Sequence, residues 1–547
     1  MKPFHIHSPK WSRRKFLTRT GSAGFGVTGL ASTLTNLNLI QNASAASTGM
    51  NMGEYKALVC FFLGGGCDTN NLLIPIGSHP GRPNYEADRR FVAVSEEDIS
   101  NAGTELNAPS AGNQQYALHP SCQAMAQMFN DGELAMVANC GTLAVPIPEN
   151  VSLNDYNATI KPIQLFSHSD QVNEWFSSIP QNPFVSGWAG RVASLFRSAP
   201  YSDPAPAGQG INKDSVASML ITAAGSTDLL VSPGGTIPQY AVSRTGAISL
   251  FGYGSNYSSA VQNGAYTNNS AGRRLRAFES VINYEHEHII EQGYSDVLKS
   301  ARENEALIGA ATNIADSAAD GPFPTDNYLE TVFLDTYNSR IGSNFTNATD
   351  LPADVQEMLI TCKLIAGRDC LGNTRQVFFM NKGGFDNHAD INALLPGLLS
   401  DVDAIVACFN EAMKALAQYD SAFDYNMVTM FQASDFNRTW TPNTSGTDHA
   451  WGTHVFIAGG AVAEANTGGS KIYGKFPELA IQGANDIPGN NNRGRWIPQI
   501  STDQYYSRLA KWFGVSTADL ESIFPNLANG FSSPFDPATN LDFIGLT

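Results

Sequence analysis

The chain has 547 residues, with 33 Lys and Arg against 50 Asp and Glu, a formal charge of −17, and only 15% charged residues. Its 49 Gly and 28 Pro indicate a loop-rich globular protein and exclude a highly charged disordered one. The acidic balance repels nucleic acid and anionic lipid at long range, so neither is expected as a general partner.

Residues 1–45 read as a twin-arginine signal peptide. Ser12-Arg13-Arg14-Lys15-Phe16-Leu17 leads into a mildly apolar stretch over 21–40, and Ala43-Ser44-Ala45 supplies a small-residue cleavage signal. Such a leader is an address read by the twin-arginine translocase, which carries folded cargo. The expected location is therefore the periplasm or the cell exterior. A stable membrane anchor is not expected, because Thr33, Thr35, Asn36 and Asn38 interrupt the stretch, and a spanning helix needs about 20 predominantly apolar residues. Lys2, Lys10, Arg13, Arg14, Lys15 and Arg19 lie in this leader with no acid, so residues 46–547 keep 27 of the 33 basic residues and all 50 acids, a charge of −23. A small anionic substrate is compatible with that surface, because a local metal or arginine reverses the field inside a cleft.

After the leader, apolar strand-like runs occur at Ala57–Leu63, Glu133–Asn139, Ser218–Ala223, Gln376–Asn381, Met427–Ala433 and His454–Ala458. Several lack alternation, as central strands covered on both faces do. Helical spacing is seen at Gly187–Ser198 and Asp503–Phe513, and most clearly at Ile391–Gln418, where apolar residues recur every three or four positions from Leu394 to Leu416. Strands alternating with helices predict a mostly parallel α/β sheet flanked by helices. Residues 46–547 read as one domain. Within it, 225–370 reads as a cap or insertion, with Gly/Ser/Asn/Tyr-rich loops and then one long charged helix from Arg273 to about Ala311. Seven cysteines leave at least one unpaired, and none has zinc-ribbon or haem spacing. Cys60 and Cys408 read as buried thiols, and Cys67 is left open.

Three times an apolar strand is followed by an acid with a histidine nearby. Asp68 follows Gly64-Gly65-Gly66-Cys67 at the exit of the first run. Asp386 and His388 lie in Gly383-Gly384-Phe385-Asp386-Asn387-His388, after Val377-Phe378-Phe379-Met380. Asp435 begins Asp435-Phe436-Asn437-Arg438-Thr439 after the Met427 run, and His449 lies in Gly446-Thr447-Asp448-His449-Ala450-Trp451-Gly452, before the last run. Each box taken alone also suits a turn. Their convergence favours a carboxylate–imidazole metal site. Ser167 and His168, in Phe166-Ser167-His168-Ser169-Asp170, sit before a short helical run. Ser167 reads there as a helix cap or, beside a metal, as an activated nucleophile. His286 and His288 fall on different faces of their helix and read as solvated.

These boxes together resemble the DUF1501 family. So does the end of the chain, from Ser501-Thr502-Asp503 through Trp512-Phe513-Gly514 to Phe524-Pro525-Asn526-Leu527. The resemblance runs from about Lys56 to Leu527. DUF1501 proteins are exported, have no assigned function, and are grouped with the alkaline phosphatase-like and sulfatase-like superfamily, whose typical member is a two-metal hydrolase. The resemblance implies an alkaline phosphatase-like fold. It implies Asp68, Asp386, His388, Asp435 and His449 as metal ligands, and Ser167 as nucleophile with His168 beside it. The box at Asp435 carries Phe436 where the superfamily has His, so His168 or His454 is the replacement to look for. Mixed Asp/His ligation suits Zn or Mn, and an oxygen-richer site Ca or Mg. The function implied is metal-dependent hydrolysis of phosphate or sulfate esters. The alternative is a non-catalytic envelope protein that serves a protein or glycan partner through its acidic, tyrosine-bearing surface (Tyr253, Tyr257, Tyr266).

Overall fold

The computed structural model describes residues 54–546 apart from 109–113, 203–209, 213–214, 216, 249–256, 258, 263–264, 286–288, 466–471 and 490–492. Residues 1–45, which read as a signal peptide, lie outside the described residues, as do Tyr253, His286 and His288.

The eight residues of β1 (Lys56–Leu63) are all buried, and the seven after Lys56 divide between two cores. Ala57, Val59, Phe61 and Leu63 face one, and Leu58, Cys60 and Phe62 the other. This is why the run reads as continuously apolar: with helices on both faces, neither set of alternate side chains meets water. The strands that follow in the same large sheet are β2 (Leu134–Gly141), β3 (Leu220–Thr222), β4 (Tyr240–Ala241), β5 (Arg375–Lys382), β6 (Val428–Ser434), β7 (Thr453–Ala458), β8 (Ile472–Gly474) and β9 (Ile500–Ser501). Their order is β8-β2-β7-β6-β1-β5-β3-β4, with β9 also pairing β2. The pairs β1/β5, β1/β6, β5/β3, β3/β4, β8/β2 and β9/β2 are parallel. Only β7 runs against its neighbours β6 and β2. The chain is therefore a mixed α/β protein with a large, mostly parallel central sheet and flanking helices.

One face is covered by α1 (His168–Ser177), α2 (Trp188–Phe196) and α7 (Thr502–Phe513), the last with Tyr505, Tyr506, Leu509, Trp512 and Phe513 buried. The other face carries α3 (Ile289–Asp316), α4 (Tyr328–Ile341), α5 (Ala353–Ala366) and α6 (Ile391–Tyr419). In length and apolar content α6 would suit a membrane span. Its Leu395, Leu399, Val402, Ile405, Val406, Phe409, Met413 and Leu416 are instead buried in this core.

The middle of the chain differs from its reading in one respect. The long charged helix is two helices, Ser270–Ile282 and α3. The first stops where Asn283 closes it, its N–H donating to Glu279 O and its side-chain amide to the same carbonyl. From Ile308 onward the apolar residues of α3, α4 and α5 join the main core, so much of 225–370 forms a layer of the domain. A small sheet of Leu73–Ile76, Gln115–Leu118 and Glu105–Leu106 was not anticipated. Its strands are two to four residues long, too short to show a period. All seven cysteines are free, six of them buried, including Cys60, Cys67 and Cys408.

Candidate metal centre

Parallel pairing brings the strand exits to one edge. In register, Leu63 of β1 lies opposite Lys382 of β5 and Ser434 of β6, so the loops carrying Asp386, His388 and Asp435 leave the sheet at one level. Because β7 is antiparallel, its beginning lies at that same edge, and His449 just before it joins them. His168 is the first residue of α1. The glycines after β1 make the close approach possible. A Cβ on Gly65, whose φ is +109°, would lie 2.7 Å from the Asp386 nitrogen, and one on Gly66, with φ +75°, would lie 2.5 Å from the Phe436 ring.

The three imidazoles meet through one kind of atom. Nε2 of His449 lies 3.1 Å from Nε2 of His168 and 2.9 Å from Nε2 of His388. Oδ1 of Asp386 stands 3.4 Å from His168 Nε2, 3.1 Å from His388 Nε2 and 3.5 Å from His449 Nε2. The far side of each ring explains why these nitrogens carry lone pairs. Nδ1 of His168 donates to Asp435 Oδ2 at 2.7 Å, that of His388 to Asp448 Oδ1 at 3.1 Å, and that of His449 to the Phe166 carbonyl at 2.8 Å. Carboxylates and carbonyls only accept, so each Nδ1 bears the hydrogen and each Nε2 of a neutral ring is bare.

Three lone pairs and a carboxylate oxygen at such separations repel unless a cation sits among them. A proton can bridge only one pair at a time. Donors about 2.0 Å from a tetrahedral zinc ion lie about 3.3 Å apart, and the ligand atoms of His168, Asp386 and His449 lie 3.1, 3.4 and 3.5 Å from one another, with His388 adjoining Asp386 and His449 at 3.1 and 2.9 Å. The group of His168, Asp386 and His449, with His388 against it, therefore fits a divalent ion, and oxygen acceptors behind each ring are the kind of partner that orients metal-bound histidines. Burial, with the positive charge of Arg438 and the neighbouring rings, pushes the His449 imidazole below its ordinary range despite the Phe166 hydrogen bond, keeping it in the neutral form that ligates. Burial acts to raise the Asp386 carboxyl, but the hydrogen bond and charge of Arg438 together with the neighbouring His168 and His388 outweigh it, and the net shift is downward.

Of the residues singled out in the sequence, Asp386, His388 and His449 supply converging atoms, and so does His168. Asp435 stands behind His168, where its second oxygen accepts from the Gly65 N–H at 2.9 Å. Asp68 lies elsewhere, buried against Arg89 Nη2 at 2.6 Å. The Ser167 hydroxyl donates to Asp170 Oδ2 at 2.6 Å, within the first turn of α1. His454 is a core residue. Its Nδ1 accepts from the Asn139 N–H at 3.2 Å, its ring stacks on Phe476, and burial lowers it to about 3.

Three contributors escaped the sequence reading. Arg438, fully buried, grips Asp386 at 2.6 Å. Asp448 holds His388 and is itself paired with Arg493. The Phe166 carbonyl is turned toward His449 by a left-handed backbone, φ 82°. Arg438 and Asp448 did stand inside the quoted boxes, but a backbone carbonyl has no signature in sequence.

Residues 330–487 match the family DUF1501, described as a protein of unknown function. The match supports membership of DUF1501. Its span holds Asp386, His388, Asp435, Arg438, Asp448 and His449, and leaves Asp68 and His168 outside. No curated protein and no solved structure matches the chain.

Proposed function

We propose that this chain is a metal-dependent hydrolase of phosphate or sulfate esters, exported by the twin-arginine route, with an alkaline phosphatase-like fold. The observation that carries the metal is the meeting of three bare Nε2 atoms with Asp386 Oδ1. The fold assignment draws on the parallel sheet with its acidic and imidazole boxes at one edge. The site lies at the carboxyl ends of β1, β5 and β6, where open α/β sheets bind ligands. A divalent cation held there supplies Lewis acidity, polarising an ester oxygen and acidifying water. The protein's own part is to keep the rings in one tautomer and to hold Asp386 against Arg438. With its carboxylate 51% exposed, Asp386 is the donor best placed to give way to an incoming anion.

The test is purification from the cell envelope, elemental analysis, and assay against a panel of phosphate and sulfate esters. Bound Zn or Mn, with hydrolysis lost in His388→Ala and in chelated protein, supports the proposal. Metal-loaded protein inert to the whole panel would leave the second reading, a non-catalytic envelope protein with a protein or glycan partner. That reading also has an observation in its favour: the converging donors are all protein side chains, and sites closed by side chains are usually structural.

A further inference from the structure

Among the described residues, each carboxylate near the donors has at least one oxygen engaged. Asp68 belongs to Arg89, with both side chains buried. Asp435 spends Oδ2 on His168 and Oδ1 on the Gly65 N–H. Asp448 lies between His388 Nδ1 and Arg493. Asp386 offers Oδ1 to the imidazoles and also to Arg438 Nη2 at 2.6 Å. The Arg438 guanidinium is fixed in turn. Nε donates to the Gly66 carbonyl at 2.7 Å and Nη2 to the carbonyls of Gly65 and Phe385, while Nη1 reaches the Thr447 carbonyl at 3.4 Å and lies 3.5 Å from His388 Nε2.

We propose that the centre takes a single divalent ion and that Arg438 is its permanent second positive charge. This rests on the metal reading given above and specifies the number of ions. Oδ1 of Asp386 lies between the imidazole nitrogens and the guanidinium, as a carboxylate bridging two cations does. Among charged side chains touching the donors, Asp386 and Arg438 cancel, Asp448 is cancelled by Arg493, and Asp435 leaves one negative charge. One divalent ion brings the cluster to +1. A second would bring it to +3 with only the other oxygen of Asp386 left to ligate it, and uncompensated charge in a partly buried site is strongly unfavourable. Arg438 has no N–H directed at open solvent, so it acts as a positioning residue for Asp386, set apart from any contact with a substrate.

The test uses the wild-type chain, so its outcome does not depend on a variant folding. Chelated protein is titrated with Zn2+ alone by calorimetry, with elemental analysis after dialysis, and in parallel loaded with Mn2+ for electron paramagnetic resonance. The expected results are one Zn2+ retained per chain and the six-line spectrum of an isolated Mn2+. Two equivalents per chain, or an exchange-coupled manganese pair, would overturn the single-ion proposal while leaving the metal reading intact. Retention of neither ion would overturn the metal reading itself.

Discussion

Asp435→Asn separates the hydrogen bonds behind the candidate metal centre from the proposed ligands. The side chain is 3% exposed and nearly isosteric with its replacement, so the fold should survive. Asp435 accepts twice, from the Gly65 N–H at 2.9 Å and from His168 Nδ1 at 2.7 Å. An amide has one accepting oxygen. The Gly65 N–H is backbone and cannot stop donating, whereas an imidazole can exchange tautomers. The oxygen therefore stays with Gly65, and the NH2 faces His168. The ring then carries its hydrogen on Nε2, pointed into the cluster where a lone pair is needed. Loss of an orienting partner costs about 10–100-fold in metal affinity, or roughly 1.4–2.7 kcal/mol, and this variant should fall at the upper end because it blocks one ligand outright. The assay is a competition titration against a chromophoric zinc chelator at pH 7.5, with circular dichroism to confirm folding. A folded variant whose zinc affinity stays within twofold of wild type would refute the tautomer argument.

Arg89→Ala leaves Asp68 as an unpaired charge with 1% exposure and strips donors from the Thr439 and Trp440 carbonyls. It should cost about 3–5 kcal/mol in urea unfolding, and an unaltered midpoint would count against that pair as a structural clamp. Glu174 is pushed up to about 9, chiefly by burial, so the folded protein holds a proton that the unfolded chain releases. Stability from this group is present below the ordinary carboxyl range and is lost as pH rises from there through about 9. Glu174→Gln should therefore gain on wild type in unfolding experiments between pH 5 and pH 9, and parallel pH profiles would disprove it. His454→Gln should leave zinc content unchanged, because its ring belongs to the core, and elemental analysis decides this. Chelation should lower the thermal midpoint in proportion to loading, since about 1,000-fold excess of free ion over Kd contributes about 4 kcal/mol. A midpoint insensitive to chelator would show that no ion stabilises the fold.

Much of the candidate site was legible because the local signals were strong. The strands β1, β5 and β6 are long, largely apolar and followed within a few residues by Asp or Asp-x-His, so their exits could be located without knowing the fold. The roles were harder. Asp68 and Asp435 both follow apolar strands, yet one is consumed by Arg89 and the other by His168. Arg89 belongs to a helix outside the main sheet, and no spacing in the sequence links it to Asp68. Ser167 and His168 are neighbours, but at the first turn of α1 the hydroxyl turns to Asp170 while the imidazole turns to the cluster.

What the sequence determined by itself was the alternation of buried strands with amphipathic helices, and hence a parallel sheet with chemistry at its carboxyl edge. Those features are local: a strand covered on both faces must be apolar at every position, and a helix against it must repeat every three to four. Which atoms meet is decided only by tertiary structure. The antiparallel turn of β7 delivers His449 to the edge, the left-handed backbone at Phe166 aims a carbonyl at its ring, and Arg438 reaches across three loops to hold Asp386. The meeting of these side chains depends on separations of about 3 Å between residues up to 281 positions apart, and such distances exist only once the whole sheet has closed.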